Sequence, residues 1–238
     1  MPRISRIVAV DFPHHVTQRG VRSMDIFHDD EDRRQYLQYI KEEAQHSEMD
    51  IIAWCLMTNH VHFIVVPHTE TSLARGFGEA HKRYTRMRNF RDDARGYLFQ
   101  GRFGSCVLDE RHLLAAVRYV ENNPVAAGMA RYAWEYQWSS AAYHVGDVKQ
   151  DVLLSNRNLF GLVKNWRNYL LETTEGNDDL TEVKRSTRTG RPAGDHDFVK
   201  KVERLTGRML QRQKPGPKKD NSNSGDITLN SRISRIKK

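Results

Sequence analysis

The strongest constraint on the fold lies at residues 51–66, where two apolar runs, IIAWCLM and VHFIVV, are separated only by the polar triplet TNH. Runs of β-branched and aromatic residues bounded by turn formers read as strands. A connection this short permits antiparallel pairing alone, because a parallel crossover needs a dozen or more residues. A sheet therefore stands at the centre of the chain, and the flanking segments are read by how they attach to it.

HHVTQRG at 14–20 alternates and breaks at Gly20, as a first or edge strand does. The stretch that follows opens with acids, favourable at a helix N-terminus, and spaces Tyr36, Leu37, Ile40 and Ala44 helically. Residues 71–91 form a second helical pattern, with Leu73, Phe77, Ala80, Tyr84 and Met87 on one stripe and Lys82, Arg83, Arg86 and Arg88 over the rest. YLFQGRFGSCVL returns to strand character. Asp109 then caps a helix through ERHLLAAVRYVENN, which Pro124 is expected to stop.

The order strand, helix, strand, strand, helix, strand, helix fits an α+β fold, a ferredoxin-like antiparallel sheet with helices packed on it. WSSAAYH and the pattern Leu159, Leu162, Val163, Trp166, Tyr169, Leu170 extend that core, giving a catalytic domain over 1–172. Residues 173–212 read as a linker with a short basic helix at FVKKVERLTGRML, and 213–238 as a basic, disordered tail.

Charge is divided along the same line. Residues 184–238 hold 16 Lys and Arg against 5 Asp and Glu, whereas the first 183 residues hold 22 against 25. A basic tail suits a polyanionic partner. Two cysteines without close spacing, Cys55 and Cys106, exclude a disulfide framework, and no apolar run reaches the length of a membrane span. These features suggest a protein of the cytoplasm, associated with the nucleoid.

The chemistry starts from the second apolar run. Side chains at i and i+2 of a strand share a face, so His60 and His62 present two imidazoles together while Val61 points away. On the helix before Pro124, Leu113, Val117 and Val120 make the core stripe, and Tyr119 and Asn123 lie one turn apart on its flank. A tyrosine can attack a phosphodiester if the developing charge is neutralised. An ion held by two imidazoles and an amide oxygen would do this, and Mg²⁺ or Mn²⁺ usually serves phosphate chemistry.

Six stretches, HHVTQRG, MTNHVHFIVVP, HKRYTRM, FQGRF, RYVENNPVAAGM and WSSAAYH, fall in an order that resembles the HUH-class single-tyrosine transposases. Within that class the chain is most similar to the REP-associated tyrosine transposases of bacteria, including the tail stretches RTGRPAG, DFVKKVERLTGR and KPGPKK. The resemblance implies a metal site at His60, His62 and Asn123 and a nucleophile at Tyr119. It also implies metal-dependent cleavage and joining of single-stranded DNA through a 5′-phosphotyrosine, on sequences that fold into hairpins. Such proteins act as monomers or homodimers and use no nucleotide cofactor.

Arg19, Gln100 and Arg102 stand beside glycines where backbone can approach a phosphate. Lys82, Arg83 and Arg86 are candidates for tracking a DNA backbone, as are Arg191, Lys214, Lys218 and Lys219 in the tail. Tyr84 is a rival nucleophile on composition alone, but its stripe points at the core. His14 and His15 are weaker candidates for approach to the metal, and His112 reads as a surface residue. Two alternatives remain: a non-catalytic module gripping hairpin DNA or RNA, and a nickase of the replication-initiator or relaxase type.

Overall fold

The computed structural model describes residues 6–154, 159–172 and 178–210. Four strands, β1 (His14–Arg19), β2 (Met49–Leu56), β3 (His60–Pro67) and β4 (Gly104–Val107), form one sheet in the order β2-β3-β1-β4. Every pair is antiparallel. The two apolar runs pair as their short connection requires, with Leu56 opposite Val61.

Alternation along β3 assigns the two faces. Val61, Phe63 and Val65 enter a core with Tyr36, Leu37 and Ile40 of α1 (Asp30–His46) and with Leu73, Phe77 and Tyr84 of α2 (Ser72–Arg91). Ile64 and Val66 enter a second core with Leu113, Val117 and Val120 of α3 (Glu110–Ala126). His60 and His62 share the parity of Ile64, so both belong to the face that α3 covers. The fold is thus the expected α+β sheet with helices on it.

The caps follow the acids at the helix starts. Asp29 accepts from the Asp32 N–H at the start of α1, and Asp109 accepts from the His112 N–H at 2.8 Å at the start of α3. The His112 ring also lies 2.7 Å from the same Asp109 oxygen, so this histidine is a buried part of the cap and not a surface contact. Pro124 does not stop α3. It deletes only its own N–H, and the chain turns two residues further to Ala126, closed by Ala127 N–H to Asn123 O at 3.0 Å and by Gly128 at φ 69°.

Helix α4 (Ala141–His144) carries the WSSAAYH stretch onto α3: Glu121 Oε1 lies 2.5 Å from both Ser140 Oγ and His144 Nδ1. Trp166 of α5 (Trp166–Leu171) joins the α3 core. Residues 178–189, read above as charged linker, form α6 (Asp178–Thr189), which buries Val183 against that core. Gly104 of β4 admits it, since a Cβ there would stand 3.3 Å from the Thr187 carbonyl oxygen. The last helix among the described residues, α7 (His196–Thr206), buries Val202 beside Ile7, Ala9 and Val107.

Two buried histidines on the α1–α2 side make stability pH-dependent. His14 donates from Nδ1 to the Phe12 carbonyl at 2.8 Å and accepts at Nε2 from the Ala9 N–H at 3.3 Å, while His81 Nε2 lies 2.9 Å from the Tyr36 hydroxyl. Burial lowers their pKa values to about 4 and about 3. The unfolded chain takes up protons below pH 6.5 that the folded chain refuses, so their contribution is full above that pH and falls towards the folded values. Between pH 7 and 5.5 each histidine is expected to cost about 1 kcal/mol, read as a lower urea midpoint. His81→Gln should flatten the dependence, and an equal midpoint at the two pH values would refute it.

Candidate metal and nucleophile site

Register brings the polar groups of β1 and β3 together: Arg19 stands opposite His60 and Thr17 opposite His62. Helix α3 lies over them. The Tyr119 ring meets the His62 ring edge-on, with centroids 5.3 Å apart at 78°. One turn on, the Asn123 side chain donates to the Tyr119 carbonyl at 3.0 Å and stands near enough to the His60 imidazole and the Tyr119 hydroxyl to influence the ionisation of both. The four residues expected to act together form one cluster.

Burial lowers the His60 pKa to about 4, assisted by the Arg19 charge, and holds His62 well below its ordinary value, assisted by His15, His60 and Arg19. Both rings are therefore neutral near pH 7 and have a lone pair to give. His60 Nδ1 lies 2.7 Å from the Asn59 side-chain oxygen, which leaves Nε2 as the lone-pair nitrogen. His62 Nε2 is buried without a hydrogen-bond partner. A buried lone pair left in that state can be completed by an ion or ligand. Burial raises the Tyr119 pKa, with Asn123 and Arg19 pulling it back, so the phenol holds its proton at rest.

Among the described residues no group of three or more His, Cys, Asp or Glu is placed to hold a metal. The available donors are two imidazoles and an amide oxygen, a mixed set that fits a divalent cation and leaves coordination positions for a phosphate.

Arg19 ends β1 exposed above the cluster, and Gln100 bonds back to its carbonyl at 2.8 Å. Lys82, Arg86, Arg102 and Gln18 line a groove of about 700 Å³ with Phe99 and Phe103. Arg83 is not among them: Glu42 and Glu43 of α1 hold its guanidinium at 2.6 and 2.7 Å, making it a clamp between helices. Arg191 bonds the Leu210 carbonyl, and Lys214, Lys218 and Lys219 lie outside the described residues. Tyr84 is buried, its hydroxyl 2.6 Å from the Ile26 carbonyl. His14 faces away from the cluster, whereas His15 reaches His62.

Three residues, two at the cluster and one at the groove beside α2, had no signal in the sequence. Lys184 Nζ of α6 stands 4.9 Å over the Tyr119 ring, Thr187 of the same helix meets His15, and the Arg6 guanidinium lies 3.5 Å over Phe103. Each comes from a segment distant in the chain.

The family described as Transposase IS200 like matches residues 12–123, a span that contains all four cluster residues. The matched span is 112 of the 238 residues, and over it the chain is similar to the IS200-like transposases. That similarity points to an enzyme acting on DNA. A solved structure described as a REP-associated tyrosine transposase bound to a REP hairpin shares the transposase fold, with a TM-score of 0.54 and 16% identity. The match covers 66% of this chain and 92% of that one. No curated protein matches the chain. Helix α6 lies beyond the matched span, and no described helix is long and apolar enough to cross a membrane.

Proposed function

We propose that the protein cleaves and rejoins single-stranded DNA at hairpin-forming, REP-like sequences, using Tyr119 as nucleophile and Mg²⁺ or Mn²⁺ held by His60, His62 and Asn123. The observation that carries this reading is the orphaned, neutral His62 Nε2 beside a tyrosine on the facing helix. The hairpin bound to the solved transposase of like fold supports the choice of substrate.

Tyr119 Oη forms a bond to the scissile phosphorus as the bond from phosphorus to the 3′ oxygen breaks. The electron pair leaves on the 3′ oxygen, which takes up a proton, while the phenol proton goes to solvent. The products are a 5′-phosphotyrosine and a free 3′-hydroxyl. Rejoining reverses these events with a 3′-hydroxyl as attacking group, so the linkage energy is conserved and no nucleotide cofactor is needed. The bound ion would polarise the scissile phosphate and offset its growing charge. Asn123 orients the phenol, and Arg19 supplies positive charge at the mouth of the cluster. Lys82, Arg86 and Arg102 hold the backbone along the groove beside α2, an attraction that weakens with salt.

The test incubates the protein with labelled hairpin DNA from beside its own gene, with Mg²⁺ or Mn²⁺, and resolves products on a denaturing gel. A covalent adduct that vanishes with EDTA is expected. Tight hairpin binding with no adduct under any metal would replace this reading with a non-catalytic hairpin-binding module.

A further inference from the structure

Behind His62 a chain of hydrogen bonds leads out of the sheet into α6. His62 Nδ1 lies 2.9 Å from His15 Nε2, and His15 Nδ1 lies 2.8 Å from Thr187 Oγ1. Thr187 Oγ1 donates to the Val183 carbonyl at 2.8 Å. The two imidazole planes are 5° apart, so the rings are aligned through the bond that joins them.

The direction of the chain follows from its end. A threonine hydroxyl has one proton, and here it goes to a carbonyl that can only accept. With its proton on Val183, Thr187 Oγ1 accepts from His15, as its second lone pair can from the Cys106 thiol at 3.1 Å, which puts the His15 proton on Nδ1 and leaves Nε2 as an acceptor. His62 then donates from Nδ1, and its Nε2 is the lone-pair nitrogen. That is the atom found buried without a partner. The opposite polarity would bury an N–H with nothing to receive it, a cost of about 1–3 kcal/mol.

We propose that His15 and Thr187 are positioning residues, which fix the tautomer and ring orientation of His62 so that Nε2 is presented to the metal. This inference rests on the metal site proposed above. It places part of the support for that site on α6, outside the span that matches the transposase family. The coupling is local: Thr187 is held by the packing of Val183 against the α3 core and by the open approach at Gly104. An imidazole whose far nitrogen is fixed by a partner is both better oriented and more basic, and loss of such a partner typically lowers metal affinity 10- to 100-fold.

The experiment has two independent readouts on the full chain. In metal-free protein, long-range ¹⁵N–¹H correlation of the imidazoles is expected to show His62 protonated on Nδ1 and bare on Nε2. In Mn²⁺ titrations followed by EPR, Thr187→Val and His15→Phe are each expected to weaken binding about 10- to 100-fold. His15→Gln should retain most of the affinity, since its amide can accept from His62 and donate to Thr187. Thermal melts identify any variant that fails to fold, and the wild-type NMR result does not depend on them. A His62 proton on Nε2, or folded Thr187→Val with wild-type Mn²⁺ affinity, would overturn the proposal. Wild-type protein that binds no Mn²⁺ while showing the expected tautomer would overturn the metal site itself and with it the role assigned to the chain.

Discussion

Tyr119→Phe is expected to abolish the covalent adduct and to reduce strand cleavage about 10⁴-fold or more, the scale seen when a nucleophile is removed from a site that acts as a unit. The substitution removes one oxygen and leaves the ring that meets His62 edge-on at 5.3 Å, so the packing of α3 and the affinity for hairpin DNA should persist. Mn²⁺ affinity should also persist, because the phenol is not among the proposed ligands. His60→Ala is expected to behave differently, losing metal affinity and cleavage together. An adduct of undiminished yield in Tyr119→Phe would require another nucleophile. Tyr84 is poorly placed for that role, with its hydroxyl buried against the Ile26 carbonyl. The decisive measurement is a denaturing gel run beside a binding assay on the same preparations.

The legibility of this site in the sequence follows from how far apart its contacts lie. His60 and His62 could be placed on one face because a strand has a period of two, and Tyr119 and Asn123 on one flank because a helix turns in 3.6 residues. Those are local rules, and they reached the donor pair and the phenol. That the two faces meet needed only the sheet-and-helix order. Thr187 was beyond such rules: its bond to His15 spans 172 residues, and α6 offers just Leu180 and Val183 as buried apolar markers among charges and threonines. Arg83 and Arg88 show the same limit from the other side. Both read as part of a basic helix surface, yet one is held by two glutamates of α1 and the other is buried. A charge in a sequence gives no sign of its partner, so a clamp and a free basic face look alike until the helices are placed.

Arg88 carries the second large expectation. Its side chain is 2% exposed and that of Asp32 0%, and the two form an ion pair joining α2 to the first turn of α1. Asp32 Oδ2 also accepts from the His28 N–H at 2.7 Å, Asp92 Oδ2 lies 2.5 Å from Arg88 NH2, and Arg91 approaches Asp32 Oδ1 at 2.7 Å. Two buried charges of this kind add little net stability as a pair, because each was drawn out of water, but either one left alone is costly. Asp32→Asn keeps the shape and an acceptor for His28 but leaves the buried guanidinium with Asp92 as its one remaining carboxylate, and is expected to cost about 3 kcal/mol. Arg88→Met strands the carboxylate beside Arg91, whose side chain is 37% exposed, so solvent and that partner should make it the milder change. The double variant Asp32→Leu, Arg88→Met should cost much less than the two single changes added together, since an apolar pair of similar volume needs no solvation. Urea unfolding of the wild type, Asp32→Leu, Arg88→Met and the double variant closes the cycle, with Asp32→Asn measured beside it. Additive costs would mean that the charges do not sense one another, and a cost below about 1 kcal/mol for Asp32→Asn would mean that water reaches the pair. In either case the pair sits on the α1–α2 side of the sheet, opposite the histidine cluster. The folded fraction of each variant should therefore bind Mn²⁺ as the wild type does, which separates a loss of fold from a loss of chemistry.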